Sequence, residues 1–77
     1  MNEEELNVSI RKFLRQVGVL SQREIEQAVS RALQAKEIQG DEHFPATMTL
    51  EVAGLRLKTQ IEGTIRLERG ADEPKDE

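Results

Sequence analysis

The apolar positions of this chain change their spacing once. Up to about Gly40 they recur every three or four residues, which is the period of an amphipathic helix. From Met48 to Leu67 they recur every second residue, which is the period of a β-strand. The pattern therefore predicts an α+β fold, in which two N-terminal helices pack on a C-terminal antiparallel β-hairpin with a long second strand.

The limits of the two helices follow from capping residues. Asn2 can cap the first helix, and Gly18 is expected to end it, because glycine closes many helices in a left-handed conformation. The segment Ser21–Glu24 has the sequence of a capping box and predicts the start of the second helix, which would end at Gly40. The short link Gly18–Leu20 between them predicts a helical hairpin or an angled pair.

The hairpin is predicted from alternation and from one turn. The first strand spans Ala46–Val52, and the dipeptide Ala53-Gly54 can form a two-residue turn in which Gly54 takes a left-handed conformation with positive φ. Such a turn pairs Val52 with Leu55, so that apolar residues face apolar residues. The apolar positions of all four elements then predict one core, made of Leu6, Ile10, Phe13, Leu14, Val17, Ile25, Val29, Leu33, Leu50, Val52, Leu57 and Ile61.

This register leaves the end of the second strand, Glu62–Glu68, without a partner in the first strand. An unpaired strand edge with Ile65 and Leu67 is the kind of surface that proteins normally cover. Either Phe44 and Pro45 extend the first strand and cover it, or a second copy of the chain pairs along it. In the second case Ile65 and Leu67 are the self-association residues of a homodimer.

Length and composition indicate one small domain, over residues 1–68, followed by a disordered acidic tail over residues 69–77. The chain has no cysteine, which excludes disulfides and thiolate sites. No apolar run approaches the roughly 18 residues of a membrane span. The N-terminus is acidic, whereas a secretory signal is basic. A cytoplasmic protein that does not bind membranes is expected.

The charge distribution argues against a dedicated nucleic-acid binder. Residues 1–40 hold six basic and six acidic side chains, and residues 41–77 hold five and nine, which accounts for the net charge of −4. Nucleic-acid binders normally show a strong basic excess. One local exception is the face of the first helix opposite its apolar residues, where three cations surround an aliphatic side chain. This basic face, a candidate partner-binding site, consists of Val8, Arg11, Lys12 and Arg15.

No residue pattern indicates catalysis, a cofactor or a metal. His43 is the only histidine, and with Asp41 and Glu42 it offers fewer convergent ligands than a zinc site needs. The serines lack a plausible histidine partner for nucleophilic catalysis. The five glycines match neither common phosphate-binding pattern. We therefore expect a protein without enzyme activity and without cofactors.

Five short segments are informative together, namely Asn7–Leu14, Val17–Val19, Ser21–Glu26, Pro45–Leu50 and Glu62–Ile65. They resemble a family of short bacterial proteins carried as a domain of unknown function. The resemblance covers residues 2–68 and implies a bacterial, cytosolic protein with helices followed by strands. It implies no activity.

Two functions remain as hypotheses. The preferred one is a non-enzymatic interaction module that binds a protein partner or a second copy of itself. The alternative is an accessory nucleic-acid-binding protein that uses the basic face of the first helix.

Overall fold

The computed structural model describes residues 1–68, and the predicted tail, residues 69–77, lies outside them. The described residues form one long helix, α1 (Glu3–Gln34), and two strands, β1 (His43–Val52) and β2 (Leu57–Arg66). The chain divides into two compact units, Met1–Glu37 and a second unit that begins at Ile38. The first unit contains α1, and the second contains the hairpin.

The prediction of two helices is wrong, because α1 continues through Gly18. A glycine inside a helix costs only about 0.5–1 kcal/mol relative to alanine. Ending a helix leaves four carbonyl groups and four N–H groups without intrahelical partners at the new ends. Apolar residues also continue in phase across the glycine, from Val17 to Ile25. Ser21, the predicted cap of a second helix, therefore lies inside α1.

Both ends of α1 have well-defined caps. Asn2 is the N-cap, as predicted, and its Oδ1 accepts a hydrogen bond of 3.0 Å from the Glu5 N–H. The C-terminus is a Schellman motif, in which the Lys36 N–H donates to the Leu33 carbonyl and the Glu37 N–H to the Ala32 carbonyl. Lys36 has a φ of 60°, so a lysine takes the left-handed position that glycine usually occupies.

The hairpin is antiparallel, as predicted, but its register differs by two residues from the expected one. Val52 pairs with Leu57, and the strands are joined by a four-residue connection that contains a 3-10 helix, Ala53–Leu55, followed by left-handed Arg56. Leu55 lies in this connection and is 73% exposed. A shift of two residues keeps every side chain on its predicted face, because the side-chain period of a strand is two.

The longer connection also equalises the strands at ten residues each, so the expected surplus of the second strand does not exist. Phe44 pairs with Ile65, and His43 with Arg66. The Leu67 N–H donates to the Glu42 carbonyl at 3.0 Å and continues the ladder by one bond. Of the two ways of covering Glu62–Glu68, extension of the first strand by Phe44 and Pro45 is the one found.

No residue of the described part of the chain is buried. Phe13, which was predicted to lie in the core, is 50% exposed. The other positions expected to form the core are likewise exposed or partly exposed.

Candidate interaction surfaces

The first surface is an apolar stripe along α1. Eight residues spaced by three or four positions lie on one side of the helix, because each step of 3.6 residues completes a turn. We call them the α1 stripe, and they are Leu6, Ile10, Phe13, Val17, Ser21, Ile25, Ala28 and Ala32. None of the eight is buried. Leu14, Val29 and Leu33, none of them buried, lie outside these eight positions and beside the stripe.

An uncovered stripe of this length is unusual for a helix that owes its stability to packing. Most helical stability in proteins comes from covering an amphipathic face rather than from intrinsic helix propensity. Large contiguous apolar patches on soluble proteins mark interaction sites. The stripe thus has the properties of a contact surface, whereas the sequence had assigned its larger residues, from Leu6 to Ile25, to a core.

The second surface is one face of the hairpin. Cross-strand pairs on this side join apolar residues along most of its length, with Phe44 opposite Ile65, Met48 opposite Ile61 and Val52 opposite Leu57. The other side carries polar pairs such as Thr49 with Gln60 and Glu51 with Lys58. Ile61, on the apolar face, is 57% exposed. The alternation of the sequence therefore produces a two-sided ribbon with one apolar side open to solvent.

Small residues interrupt the middle of that apolar face. Ala46 pairs with Gly63, between the Phe44–Ile65 and Met48–Ile61 pairs. A Cβ atom placed on Gly63 would meet nothing within 4 Å. An open depression surrounds this pair, and its lining residues are Pro45, Ala46, Thr47, Glu62, Gly63 and Thr64. Sequence reasoning did not identify this depression, because it depends on which small residues face each other across the register.

The basic face lies where the sequence placed it along the chain, but on one long helix. Val8, Arg11, Lys12 and Arg15 occupy neighbouring positions on the side of α1 away from the stripe, and all four are exposed. None of the three cations has an ion-pair partner among residues 1–68. α1 therefore carries a basic surface and an apolar surface on opposite sides of one rod.

Ile65 and Leu67, the predicted self-association residues, both lie in the hairpin unit and are partly exposed. Ile65 belongs to the apolar face through its pairing with Phe44. The backbone edge that was expected to attract a second copy is already hydrogen-bonded to β1. Within residues 1–68, the other edge of β2 has no neighbouring strand.

The segment before β1 is organised by one carboxylate. The Glu42 side chain accepts hydrogen bonds from the backbone N–H groups of Gln39, at 2.8 Å, and Gly40, at 3.0 Å. These two bonds, the first of them the stronger influence, lower the pKa of the Glu42 carboxyl below its ordinary value. Glu42 therefore orders the segment before β1 as a charged acceptor.

The described residues show no metal-binding cluster and no membrane span. No three His, Cys, Asp or Glu side chains within residues 1–68 are placed to hold a metal ion. His43 begins β1 opposite Arg66. α1, despite its length, is not apolar enough to cross a membrane, and no other helix in that part of the chain is long enough.

Comparisons with known proteins establish a family but no activity. Neither a curated protein nor a solved structure matches this chain. One family model matches residues 1–68, the same range that the structure describes. The chain therefore belongs to DUF6494, a family of unknown function.

Proposed function

We propose that this protein is a non-enzymatic, cytoplasmic interaction module that binds a protein partner, or a second copy of itself, through the α1 stripe. The observation that carries the proposal is the exposure of the stripe on a helix of 32 residues, in a chain with no buried residue among residues 1–68. Covering such a face contributes free energy in proportion to the apolar area removed from water.

The composition of the two surfaces of α1 favours the α1 stripe, rather than the basic face, as the binding surface. The stripe presents large apolar side chains from Leu6 to Ile25, and association buries such side chains at the centre of stable interfaces. The basic face has three cations and one valine, and the helix around it also carries Glu4 and Glu26. Exposed charges in this arrangement are usually solvated and contribute little.

The alternative, an accessory nucleic-acid-binding protein, rests on the three unpaired cations of the basic face. Arg11 and Arg15 lie four residues apart, which is a mildly repulsive spacing on a helix. A phosphate backbone would relieve that repulsion. Binding of this kind would weaken steeply as salt is raised, because phosphate contacts release counterions.

Two matched variants separate these functions. Ile10→Glu places an acid in the stripe, and Val8→Glu places the same acid in the basic face, on the opposite side of the same turn of α1. The tagged protein and both variants are purified from cells that naturally express the chain, and retained partners are identified by mass spectrometry. A specific protein or second copy retained by wild type and by Val8→Glu, but lost with Ile10→Glu, is the expected result.

The same three proteins are titrated with labelled RNA and DNA at two salt concentrations. Salt-sensitive binding that Val8→Glu abolishes and Ile10→Glu preserves would establish the nucleic-acid function and overturn the proposed one. Circular dichroism of each variant shows whether α1 is retained, so that a loss of binding is not confused with a loss of the helix.

A further inference from the structure

We infer that the partner of the α1 stripe is a second copy of α1, packed antiparallel about a two-fold axis near residue 19. The inference rests on the proposed function, since it names the occupant of the surface proposed there. Its first support is the symmetry of the stripe. Its eight positions are unchanged when each residue number i is replaced by 38 − i, as the numbers along α1 show.

This symmetry has a direct structural meaning. When two identical helices pack antiparallel about an axis at residue 19, residue i of one copy lies level with residue 38 − i of the other. Every stripe residue then faces another stripe residue, and the interface is self-complementary, as a two-fold interface requires. The four facing pairs are Leu6 with Ala32, Ile10 with Ala28, Phe13 with Ile25, and Val17 with Ser21.

The sizes of the facing side chains match in the same orientation. The four stripe residues of the N-terminal half are all large. Three of the four in the C-terminal half are small, namely Ser21, Ala28 and Ala32. Antiparallel pairing places a large side chain against a small one in three of the four pairs. Helices interdigitate well when large and small side chains alternate across the contact.

Parallel pairing of two copies lacks this match. It would place Leu6 against Leu6 and Phe13 against Phe13, but Ala28 against Ala28 and Ala32 against Ala32. The large side chains of the N-terminal half would set the separation of the two helices. At that separation the alanines of the C-terminal half would not touch, and the gap between them would lose packing energy. Parallel pairing would also bring Glu3, Glu4 and Glu5 of both copies together.

Length and area also fit a second copy of α1. The stripe spans Leu6 to Ala32, which is 26 residue steps or about 39 Å at a rise of 1.5 Å per residue, and an identical helix covers it from end to end. Five large residues on or beside the stripe (Leu6, Ile10, Phe13, Leu14 and Ile25) are 37–54% exposed. Two copies would therefore remove ten large apolar side chains from water together, which suits the roughly 1,000 Å² of buried surface that a specific interface needs.

Single cysteines test the orientation directly, because the chain has no cysteine of its own. Leu6→Cys and Ala32→Cys proteins are mixed and oxidised. In the antiparallel pair the two thiols face each other, so the mixture is expected to form a disulfide between the two different chains. Leu6→Cys alone is expected not to cross-link, since its own copies would lie about 39 Å apart along the helix axis.

A matched pair controls for random collisions. Val8→Cys and Ser30→Cys also satisfy the sum of 38, but they lie on the side of α1 away from the stripe. Their mixture is expected to remain uncross-linked under the same oxidation. Cross-linking of Leu6→Cys with itself in preference to the mixture would overturn the inference, because it indicates parallel pairing.

Sedimentation equilibrium of the wild-type chain completes the test. A dimer of about 17.4 kDa, twice the 8.7 kDa chain, is expected. It should dissociate at least tenfold more readily in Ile10→Glu than in Val8→Glu. A monomer of 8.7 kDa up to millimolar concentration, with no disulfide in the Leu6→Cys and Ala32→Cys mixture, would overturn the inference. Retention of a different protein by the stripe would then leave the proposed function standing.

Discussion

In the helix and in the hairpin of this protein, the glycines and the apolar residues differ in how well they predict the structure. In α1, Gly18 was expected to interrupt the helix, and the backbone continues through it. In the hairpin, Gly54 was expected at a left-handed turn position, and Arg56 occupies such a position instead, with a φ of 55°. In both regions the apolar spacing correctly identified the apolar face, whereas the glycines did not identify the breaks.

This difference shows that the conformational preference of a single residue is overridden by the continuation of a helix or by the pairing of two strands. A helix gains one backbone hydrogen bond for each residue added, so a single glycine costing about 1 kcal/mol does not end it. A hairpin loop is chosen by the pairing of two whole strands, and in the observed register His43–Val52 pairs along its whole length with Leu57–Arg66. A non-glycine residue at positive φ, costing roughly 1–2 kcal/mol, is then tolerated.

The largest expected effect concerns the continuity of α1 at Gly18. Gly18→Pro should destabilise the helix by about 3 kcal/mol or more, because proline removes a hydrogen bond and clashes with the preceding turn. Gly18→Ala should stabilise it by about 0.5–1 kcal/mol, since the helical backbone suits alanine and its Cβ meets nothing within 4 Å. Thermal unfolding followed by circular dichroism at 222 nm measures both changes.

Two helices with a break at Gly18 would give the opposite result. A left-handed glycine at a helix end resists alanine, and a link between helices accepts proline more readily. Full helicity in Gly18→Pro, together with a lower melting temperature in Gly18→Ala, would contradict a continuous α1.

The next effect distinguishes Asn2, the N-cap of α1, from Ser21, which the sequence predicted as the N-cap of a second helix. Asn2→Ala should cost about 0.5–2 kcal/mol, because the Glu5 N–H loses its acceptor. Ser21→Ala should be neutral or slightly stabilising, because Ser21 lies inside the helix, where alanine is the better helix former. Chemical denaturation of the two variants side by side gives the difference. A loss of about 1 kcal/mol in Ser21→Ala would indicate a second helix.

A smaller gain is expected where lysine and arginine take left-handed conformations. Lys36→Gly at the end of α1 and Arg56→Gly in the hairpin connection should each stabilise the protein by up to about 1 kcal/mol, since glycine adopts positive φ without steric cost. Lys58→Gly, within β2, serves as the control and should destabilise the hairpin. Amide hydrogen exchange resolves the two units separately. No gain in protection in Arg56→Gly would argue against the observed connection.

The smallest expected effect is a pH dependence of the segment before β1, which the Glu42 carboxylate orders. The hydrogen bonds to Glu42 lower its pKa in the folded chain, so their contribution is present above the ordinary pKa of glutamate, about 4.3. It is lost as the pH falls through the lowered folded value. The amide resonances of Gln39 and Gly40 should therefore titrate together below pH 4.3, and should not titrate in Glu42→Gln. Titration at the ordinary value would contradict the capping role.

Much of the candidate site was predictable, because the spacing of residues along the chain determines on which side of a helix or strand each one lies. The stripe residues Leu6, Ile10 and Phe13, and the hairpin residues Met48 and Ile61, were all identified from spacing alone. The sequence assigned Leu6, Ile10, Phe13 and Ile61 to one core, but periodicity shows only that a side needs covering and not what covers it. The Glu42 hydrogen bonds and the depression at Ala46 and Gly63 have no periodic pattern, and they were missed.

The sequence by itself determined the type of each element, the N-cap at Asn2 and the apolar side of both helix and hairpin. The structure alone decided that α1 is unbroken, that Val52 pairs with Leu57, and that β1 extends to His43. The physical reason is the same in each case. Continuing a helix across a glycine, or moving a register by two residues, leaves the same side chains on the same face. The alternatives therefore have the same hydrophobic pattern, and the backbone hydrogen bonds of a whole element decide between them.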